Sequence, residues 1–263
     1  MHRRFEELTT VDLRVLGASL AGVVAVLPVA AVEQHGPHLP LGTDAMIAEG
    51  MIAKLLEKLD EAAPVTVLEP LRIGASIEHS NFPGTLDLGF APMSEAIVAI
   101  GRSLHAAGFR RLAVVSSHGG NTPSVDAAAL VLRRSLGLLV ATASWMRFGV
   151  PEGLLPAEEL AHGIHGGAVE TALMLHFRPD LVRSDRIAPA PSLQARLERD
   201  NLHLRAHGRL GFGWMASDLN ASGVVGNAGL GTAEMGRRIA EHQAARFAEF
   251  LGDAARFDLA VFD

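Results

Sequence analysis

The chain has 263 residues, of which 49% are hydrophobic and 20% are charged, a balance typical of a globular protein with a substantial core. This composition excludes a disordered or fibrous protein. The formal charge of -6, with basic residues clustered only in pairs, argues against a nucleic-acid partner. The chain has no cysteine, so any metal ion must be bound by His, Asp or Glu. We expect one domain over residues 1–263.

An uncharged run covers residues 15–32 and has the length of a transmembrane helix. Gly22 and Pro28 interrupt it, and the acidic Glu6 and Asp12 before it do not fit the basic start of a signal peptide. We interpret the run as a helix end, a turn at Gly22 and a buried strand. The expected protein is cytoplasmic and has no membrane contact.

Strand and helix patterns then alternate along the chain. Strands are predicted at residues 23–32, 65–68, 111–115 and 138–143. Helices are predicted at residues 44–59, 92–107, 123–136, 167–176 and 233–251, with Thr43 and Thr232 as the first and last N-caps. This alternation predicts an α/β fold with a mainly parallel sheet that is covered by helices on both sides.

Two stretches have no strong periodicity. Residues 148–164 contain several Gly and Pro, so we interpret them as an irregular loop of lid length. Trp145 and Phe148 stand at its start and are candidates for a lid, although core packing is the default for each. Residues 189–231 are rich in Gly and are assigned to no element.

Polar loops follow two of the predicted strands, where ligands collect in open α/β sheets. Glu33 and His35 are two residues apart and share one face of an extended segment, and Asp44 begins the next helix. His118 lies in the second loop. Together these residues would supply two carboxylates and two imidazoles, a ligand mixture that suits Zn²⁺, Mn²⁺ or Fe²⁺. The alternative is that Glu33 caps a loop and each His is an ordinary polar residue.

A third polar group covers residues 165–171 and enters a helix. Glu170 lies one turn into that helix, where a buried acid needs a partner such as a metal ion. The alternative for Glu170 is an exposed acid that matches the dipole of the helix N-terminus.

These three polar segments carry a resemblance. Residues 33–44 read E-x-H-G-x-H-L-P-x-x-T-D, residues 118–121 read H-G-G-N, and residues 165–171 read H-G-G-x-x-E-T. In this order they resemble the creatininase (creatinine amidohydrolase) family, over about residues 9–250. The resemblance implies a three-layer α/β/α fold, a centre of two divalent metal ions, a small-molecule amide substrate and a homo-oligomer, often a hexamer.

The same resemblance implies roles for single residues. Glu33 and His118 would bind one metal ion, His35 would bind the other, Asp44 would bridge the two, and Glu170 would complete the second site. The expected ions are Zn²⁺ or Mn²⁺, with Fe²⁺ as a further option.

The sequence also departs from creatininase itself. Gly120 stands where creatininase has a ligand glutamate, Ile164 replaces a glutamate near the substrate, and Ala161 replaces a tryptophan. These departures argue against creatinine as the substrate. Other members of the family resemble formamide deformylases of cofactor biosynthesis and a peptidase that trims a modified peptide. We therefore expect hydrolysis of an amide C–N bond and leave the amide open.

The expected mechanism is attack on the amide carbonyl by a water molecule that two metal ions activate. His165 is the candidate that carries a proton to the leaving nitrogen; its alternative is to orient a metal-bound carboxylate. A serine nucleophile at Ser116 or Ser117 is a rival, but no G-x-S-x-G surrounds these residues. A metal site without catalysis is the other alternative.

The remaining polar residues are weaker candidates. His38 is expected to brace the first loop. Glu78, His79 and Asn81 can line a substrate pocket or form an ordinary polar loop. Five histidines have no assigned role: His105, His176, His203, His207 and His242.

Overall fold

The computed structural model describes residues 2–262. Within these residues, four parallel strands form the central sheet in the order β2-β1-β3-β4. Their bounds are β1 (Val24–Val29), β2 (Val65–Val67), β3 (Arg111–Ser116) and β4 (Leu139–Ser144). Val24 of β1 lies opposite Val65 of β2 and Arg111 of β3. Every residue of β1 is buried, as expected for a central parallel strand with both faces covered.

The helices occur before the first strand of the sheet, between its strands and after the last one. They are α1 (Thr10–Leu16), α2 (Thr43–Lys58), α3 (Phe90–Ala107), α4 (Thr122–Leu136), α5 (Ala157–His162), α6 (Ala168–Phe177), α7 (Leu193–Asp200), α8 (Ala216–Leu219) and α9 (Ala233–Arg256). A small antiparallel pair joins β5 (Pro189–Ala190) to β6 (Gly226–Asn227).

Two hydrophobic cores lie on opposite faces of the sheet, because side chains alternate along a strand. Val24 and Val26 belong to a core with residues of α2, α6 and α9, which includes the fully buried Phe247. Ala25 and Leu27 belong to a second core with residues of α3 and α4. These layers confirm the predicted three-layer α/β/α sandwich with a mainly parallel sheet.

The ends of several helices differ from the prediction. Gly42, not Thr43, is the N-cap of α2, and the Thr43 hydroxyl donates a hydrogen bond to the Pro40 carbonyl. The predicted Thr43 cap is therefore wrong. The N-cap role of Thr232 is confirmed, because its side chain accepts a hydrogen bond from the backbone N–H of Met235. Helix α3 begins at Phe90, two residues before the predicted start at Pro92. Proline is tolerated there because the N–H groups of the first turn have no partner within the helix.

The two aperiodic stretches contain more order than predicted. Residues 148–164 include α5, and residues 189–231 include α7, α8 and the β5–β6 pair. Trp145 is 1% exposed and packs edge-on against Phe247, with ring centroids 4.9 Å apart. A lid role for Trp145 is therefore wrong, and its default assignment to the core is confirmed.

The strand order creates a crevice where the site residues emerge. After β1 the chain continues to α2 on one face of the sheet, and after β3 it continues to α4 on the other. Loops that leave adjacent strands toward opposite faces open a crevice at the carboxyl ends of those strands. The loops at residues 30–42 and 117–121 both leave from this end. Within residues 2–262, no helix combines the length and the apolar composition needed to cross a membrane.

Candidate metal centre

The structure brings together the five predicted metal ligands. Glu33, His35, Asp44 and His118 are each at most 5% exposed, and the Glu170 side chain is 14% exposed. Glu170 is therefore not the exposed first-turn acid that the sequence left as an alternative. The two loops supply Glu33, His35 and His118, while α2 and α6 supply Asp44 and Glu170.

Asp44 lies between two groups of side chains. Its Oδ2 atom is 3.8 Å from His118 Nδ1, and that nitrogen is 3.1 Å from Glu33 Oε1. Its Oδ1 atom is 3.8 Å from His35 Nε2, which is 4.0 Å from Glu170 Oε1. One carboxylate oxygen of Asp44 thus faces each group.

Several polar atoms of this cluster are buried without a hydrogen-bond partner among residues 2–262. They are both carboxylate oxygens of Glu33, both carboxylate oxygens of Asp44, and Nε2 of His35. Buried polar atoms left unpaired are costly and rare, so their concentration here indicates a bound group. Three groups of side chains have ligand atoms close enough to hold a metal ion: Glu33–His35–Asp44, His35–His165–Glu170 and Glu33–His79–His165. Oxygen and imidazole donors suit Zn²⁺ and Mn²⁺, so the residues fit divalent ions.

Backbone carbonyls fix which nitrogen of each imidazole carries the proton. A carbonyl oxygen only accepts, so the ring nitrogen that contacts it must be an N–H donor. The donated bonds are His35 Nδ1 to Glu33 O at 3.1 Å, His118 Nε2 to Ala75 O at 3.0 Å, and His165 Nε2 to Gln34 O at 2.7 Å. The opposite nitrogens are left as acceptors directed into the cluster, which is the arrangement of metal-binding histidines.

His79 is a member of the cluster that sequence reasoning did not place there. Gln34 is oriented by two backbone groups, since its Oε1 accepts from Gly36 N and its Nε2 donates to Gly223 O. The same amide nitrogen donates to His79 Nδ1 at 2.8 Å. His79 Nε2 then carries the N–H and lies 3.3 Å from Glu33 Oε1. This orientation favours a donor role for His79 over a ligand role.

The electrostatic environment differs strongly between the imidazoles. Burial lowers the pKa of His79 to about 3, with repulsion from His165 adding to the effect, so the ring is neutral. Burial also lowers the pKa of His35. For His118 burial acts in the same direction, but the carboxylates of Glu33 and Asp44 outweigh it and raise the pKa to about 10. Without a metal ion, a second proton on His118 Nδ1 would lie where a cation would bind, and a bound cation would displace that proton and leave Nδ1 as the acceptor.

The carboxyl groups show the complementary pattern. Burial would raise the pKa of Glu33, but the His118, His165 and His79 rings lower it well below its ordinary value. Burial, followed by repulsion from Glu33, raises the pKa of Asp44. Burial also raises the pKa of Glu170, whose Oε2 accepts the backbone N–H of Gly166. The cluster holds more carboxyl groups than it can ionise without added positive charge.

A cavity of about 750 Å³ adjoins the cluster. His118, His165 and Glu170 form part of its lining, and its apolar lining includes Phe90, Ile164, Phe212 and Trp214. Glu78 and His79 also line it, as one sequence interpretation expected, whereas Asn81 instead donates a hydrogen bond to Ser217. His207 lines the cavity too, and its surroundings in the sequence carry no signal of this.

Other predicted polar residues support the site from outside. The His38 ring contacts the Thr171 hydroxyl at 2.9 Å, which joins the first loop to α6 and confirms the bracing role. The Ser116 hydroxyl donates to the His118 carbonyl, and the Ser117 hydroxyl donates to the Asp44 carbonyl. Both serines thus hold backbone in place, which disfavours the serine-nucleophile alternative.

Buried carboxylates and imidazole lone pairs that meet at strand ends beside an open cavity define the class of this protein as a metal-dependent hydrolase. A sequence model of the creatininase family, described as creatinine amidohydrolase, matches residues 6–251. The chain therefore belongs to the creatininase family, whose members are metal-dependent hydrolases of amide bonds.

Individual relatives and a solved structure agree with this membership. A mycofactocin precursor peptide peptidase of Mycolicibacterium smegmatis is 33% identical over 223 residues, covering 82% of this chain and 79% of the relative. A creatinine amidohydrolase of Pseudomonas putida is 32% identical over 184 residues, covering 64% and 69%. A solved variant creatininase of Zn–Zn type is 25% identical, covers 98% of this chain and 100% of its own, and superposes with a TM-score of 0.73.

Proposed function

We propose that this protein holds two divalent metal ions at Asp44 and uses them to hydrolyse the C–N bond of a small amide. The observation that carries the proposal is the set of buried, unpaired carboxylate oxygens of Glu33 and Asp44 beside the acceptor nitrogens of His35 and His118. A bound cation would satisfy all of these atoms together.

The distances support a division of the ligands into two sets. Glu33 and His118 would hold one ion, and His35 and Glu170 would hold the other. Asp44 would bridge them, because its two carboxylate oxygens face different sets. The oxygen and nitrogen donors suit Zn²⁺, Mn²⁺ or Fe²⁺.

When bound, two such ions lower the pKa of a water molecule toward neutrality and polarise the amide carbonyl. In this proposal His165 moves the proton. Its Nε2–H is held by the Gln34 carbonyl, so Nδ1 is the nitrogen that accepts a proton and passes it to the leaving nitrogen. The alternative, in which His165 orients Glu33 as a hydrogen-bond donor, requires a second proton on Nδ1, which is 3.7 Å from Glu33 Oε1.

The substrate class follows from the cavity and the relatives. A non-standard or cyclic amide with an apolar substituent would contact Phe90, Phe212 and Trp214. A second candidate is trimming of a peptide in cofactor biosynthesis. The name of the Mycolicibacterium smegmatis relative, a precursor peptide peptidase, favours this candidate. The cavity volume of about 750 Å³ accommodates either class.

Further proposals concern the domain organisation, the assembly and the cellular location of the protein. We propose a single domain over residues 1–263 that forms a homo-oligomer, with a hexamer as the expected size, and acts in the cytoplasm. The net charge of -6 supports the absence of a nucleic-acid partner. Mass measurement by light scattering tests the assembly, and a monomer would contradict it.

Metal analysis joined to an activity panel tests the function. We expect purified protein to hold two equivalents of transition metal and to hydrolyse at least one of creatinine, N-formyl amides or short peptides. A chelator should abolish turnover, and added Zn²⁺ or Mn²⁺ should restore it. Glu33→Gln should lose metal and activity, whereas the control His38→Gln should keep its metal. Equal turnover by chelated and metal-loaded protein would contradict the proposal, and metal binding without any turnover would favour the non-catalytic alternative.

A further inference from the structure

Glu78 is a mostly buried acid at the edge of the metal centre that the proposed reaction leaves without a role. It lies in the turn Ile77–His79, lines the cavity, and has a side chain that is 15% exposed. Its Oε1 atom is 3.4 Å from His118 Nε2, and this is its only ion-pair contact among residues 2–262. A carboxylate this buried needs a partner, and the partner is the ring of a proposed ligand.

The contact lies on the outer side of the His118 ring. Nε2 is the N–H donor that reaches the Ala75 carbonyl, whereas Nδ1 faces Glu33 and Asp44. Glu78 is therefore beside the proton-bearing edge of the imidazole and away from the edge that would bind metal. A carboxylate beside the N–H of a ligand histidine fixes the orientation of the ring and increases its basicity.

Gly120 makes the room for this carboxylate. A Cβ atom at position 120 would lie 2.1 Å from Glu78 Oε1 and 2.4 Å from His118 Nε2. Any other residue would displace the Glu78 carboxylate, the His118 ring, or both. Glycine is thus needed at position 120 because Glu78 and the His118 ring together occupy the space where a side chain would stand.

We propose that Glu78 is a positioning residue of the metal centre, held beside His118 Nε2 in the space that Gly120 leaves, and that it strengthens metal binding at His118 Nδ1. This inference rests on the proposed function in one respect, namely that His118 is a metal ligand. Glu78 would affect only the ion that His118 binds, because His35 and Glu170 lie on the far side of Asp44.

The test is a stepwise titration of metal-free protein with Zn²⁺ in competition with a chromophoric chelator. In Glu78→Gln we expect one of the two zinc ions to bind about 10–100-fold more weakly, and the other to bind as in wild type. Glu78→Asp should recover part of the loss. Asp126→Asn is the matched control, because Asp126 is an acid that lines the same cavity and has no ion-pair contact with His118 within residues 2–262. This control should bind both zinc ions as wild type does.

A double-mutant cycle tests the link to Gly120. Gly120→Ala alone should weaken the same zinc ion, because its Cβ would displace the Glu78 carboxylate, the His118 ring or both. In the pair Glu78→Gln with Gly120→Ala, the loss should be smaller than the sum of the two single losses, since both changes disturb the contact between Glu78 and His118. Circular dichroism of each metal-free variant checks the fold. Wild-type affinity for both ions in folded Glu78→Gln would overturn the inference, and so would fully additive losses in the double variant. Wild-type protein that binds no zinc would instead contradict the proposed function.

Discussion

Glu33 and Glu159 are two buried glutamates that the protein treats in opposite ways. They are 0% and 8% exposed. Glu159 Oε1 accepts the backbone N–H of Ala168 at 2.8 Å, and its Oε2 accepts the N–H of Asn227 at 2.8 Å. Neither oxygen of Glu33 has a partner in good hydrogen-bond geometry among residues 2–262, and the side chains nearest to Oε1 are imidazoles, with His118 Nδ1 at 3.1 Å and His79 Nε2 at 3.3 Å. Both acids are thus buried, and they differ in whether their carboxylate oxygens accept hydrogen bonds from the backbone.

The difference separates a carboxylate that holds the fold together from one kept for a cation. Glu159 in α5 joins the start of α6 to β6, because both of its carboxylate oxygens accept hydrogen bonds from backbone N–H groups. Glu33 is surrounded by imidazoles whose outer nitrogens are held by carbonyls or by Gln34, and its oxygens stay available. A buried acid is therefore informative about function only when its hydrogen bonds are accounted for.

The largest expected effect on the free energy of unfolding comes from removal of Glu159, the acid whose two oxygens are hydrogen-bonded. Glu159→Ala leaves two buried N–H groups unpaired, so we expect a loss of about 2–6 kcal/mol in the free energy of unfolding of metal-free protein. Urea denaturation measures it. Glu159→Gln keeps one acceptor oxygen and should recover part of the loss. A Glu159→Ala protein as stable as wild type would remove the distinction between the two glutamates.

The stabilisation of the folded protein by zinc should depend on Glu33 and not on Glu159. A site at a free zinc concentration of 1,000 times its Kd stabilises the folded state by about 4 kcal/mol. We expect this gain from each of the two sites in wild type and in folded Glu159→Ala, and a smaller total gain in Glu33→Ala, because Glu33 supplies a ligand oxygen to one of the two sites. Thermal unfolding with and without Zn²⁺ measures the gain. An equal gain in Glu33→Ala would show that zinc binds elsewhere.

The stability of metal-free protein should fall between pH 7 and pH 10. His118 has a pKa of about 10 in the folded chain, above its ordinary value near 6.5. Its bound proton therefore favours folding fully below pH 6.5, and this contribution is lost as the pH rises through 10. The chain has no Tyr or Cys and its only lysines are Lys54 and Lys58, so few other side chains titrate in this window.

Thermal unfolding across this pH range measures the effect, and two comparisons assign it. The zinc-loaded protein should lose less stability, because the ion replaces the proton. His118→Gln should have a nearly flat profile from pH 7 to pH 10. A profile in His118→Gln as steep as that of wild type would assign the titration to another group.

The smallest effect is expected for the bracing residue. His38→Ala removes the contact with the Thr171 hydroxyl, so we expect a loss of about 1 kcal/mol in unfolding free energy. The zinc content should not change, since His38 has no ion-pair contact with any of the five proposed ligands among residues 2–262. A lower zinc content in folded His38→Ala would show that His38 takes part in metal binding and would contradict the bracing role.

The residues that follow β1 and β3 could be predicted as a site, because an apolar strand that ends in polar residues has a strong local pattern. Glu33, His35, Asp44 and His118 were expected together on this ground, and Glu170 was a candidate because a buried acid in the first turn of a helix needs a partner. The resemblance to creatininases added the separate role of each residue. Their meeting in the structure agrees with that expectation, while their roles as ligands stay proposals. The layers of the fold could be predicted for the same reason, since each strand and long helix shows its own periodicity.

The remaining features depend on contacts between distant segments, which local patterns do not show. His79 faces Glu33 because Gln34 holds its ring, and Gln34 is itself held by Gly36 and Gly223. No spacing in the sequence indicates this chain of contacts. Helix α5 was missed because it is short and lies between Gly and Pro residues, so that its stability comes from the tertiary bonds of Glu159.

Anomalous X-ray diffraction at the zinc edge, from crystals of zinc-loaded protein, tests the central claim most directly. We expect two peaks that share Asp44, one within bonding distance of Glu33 and His118 and the other of His35 and Glu170, with no peak at Glu159. Peaks that avoid Asp44, or no peak within this cluster, would contradict the assignment of Glu33 and Asp44 as carboxylates kept for metal ions.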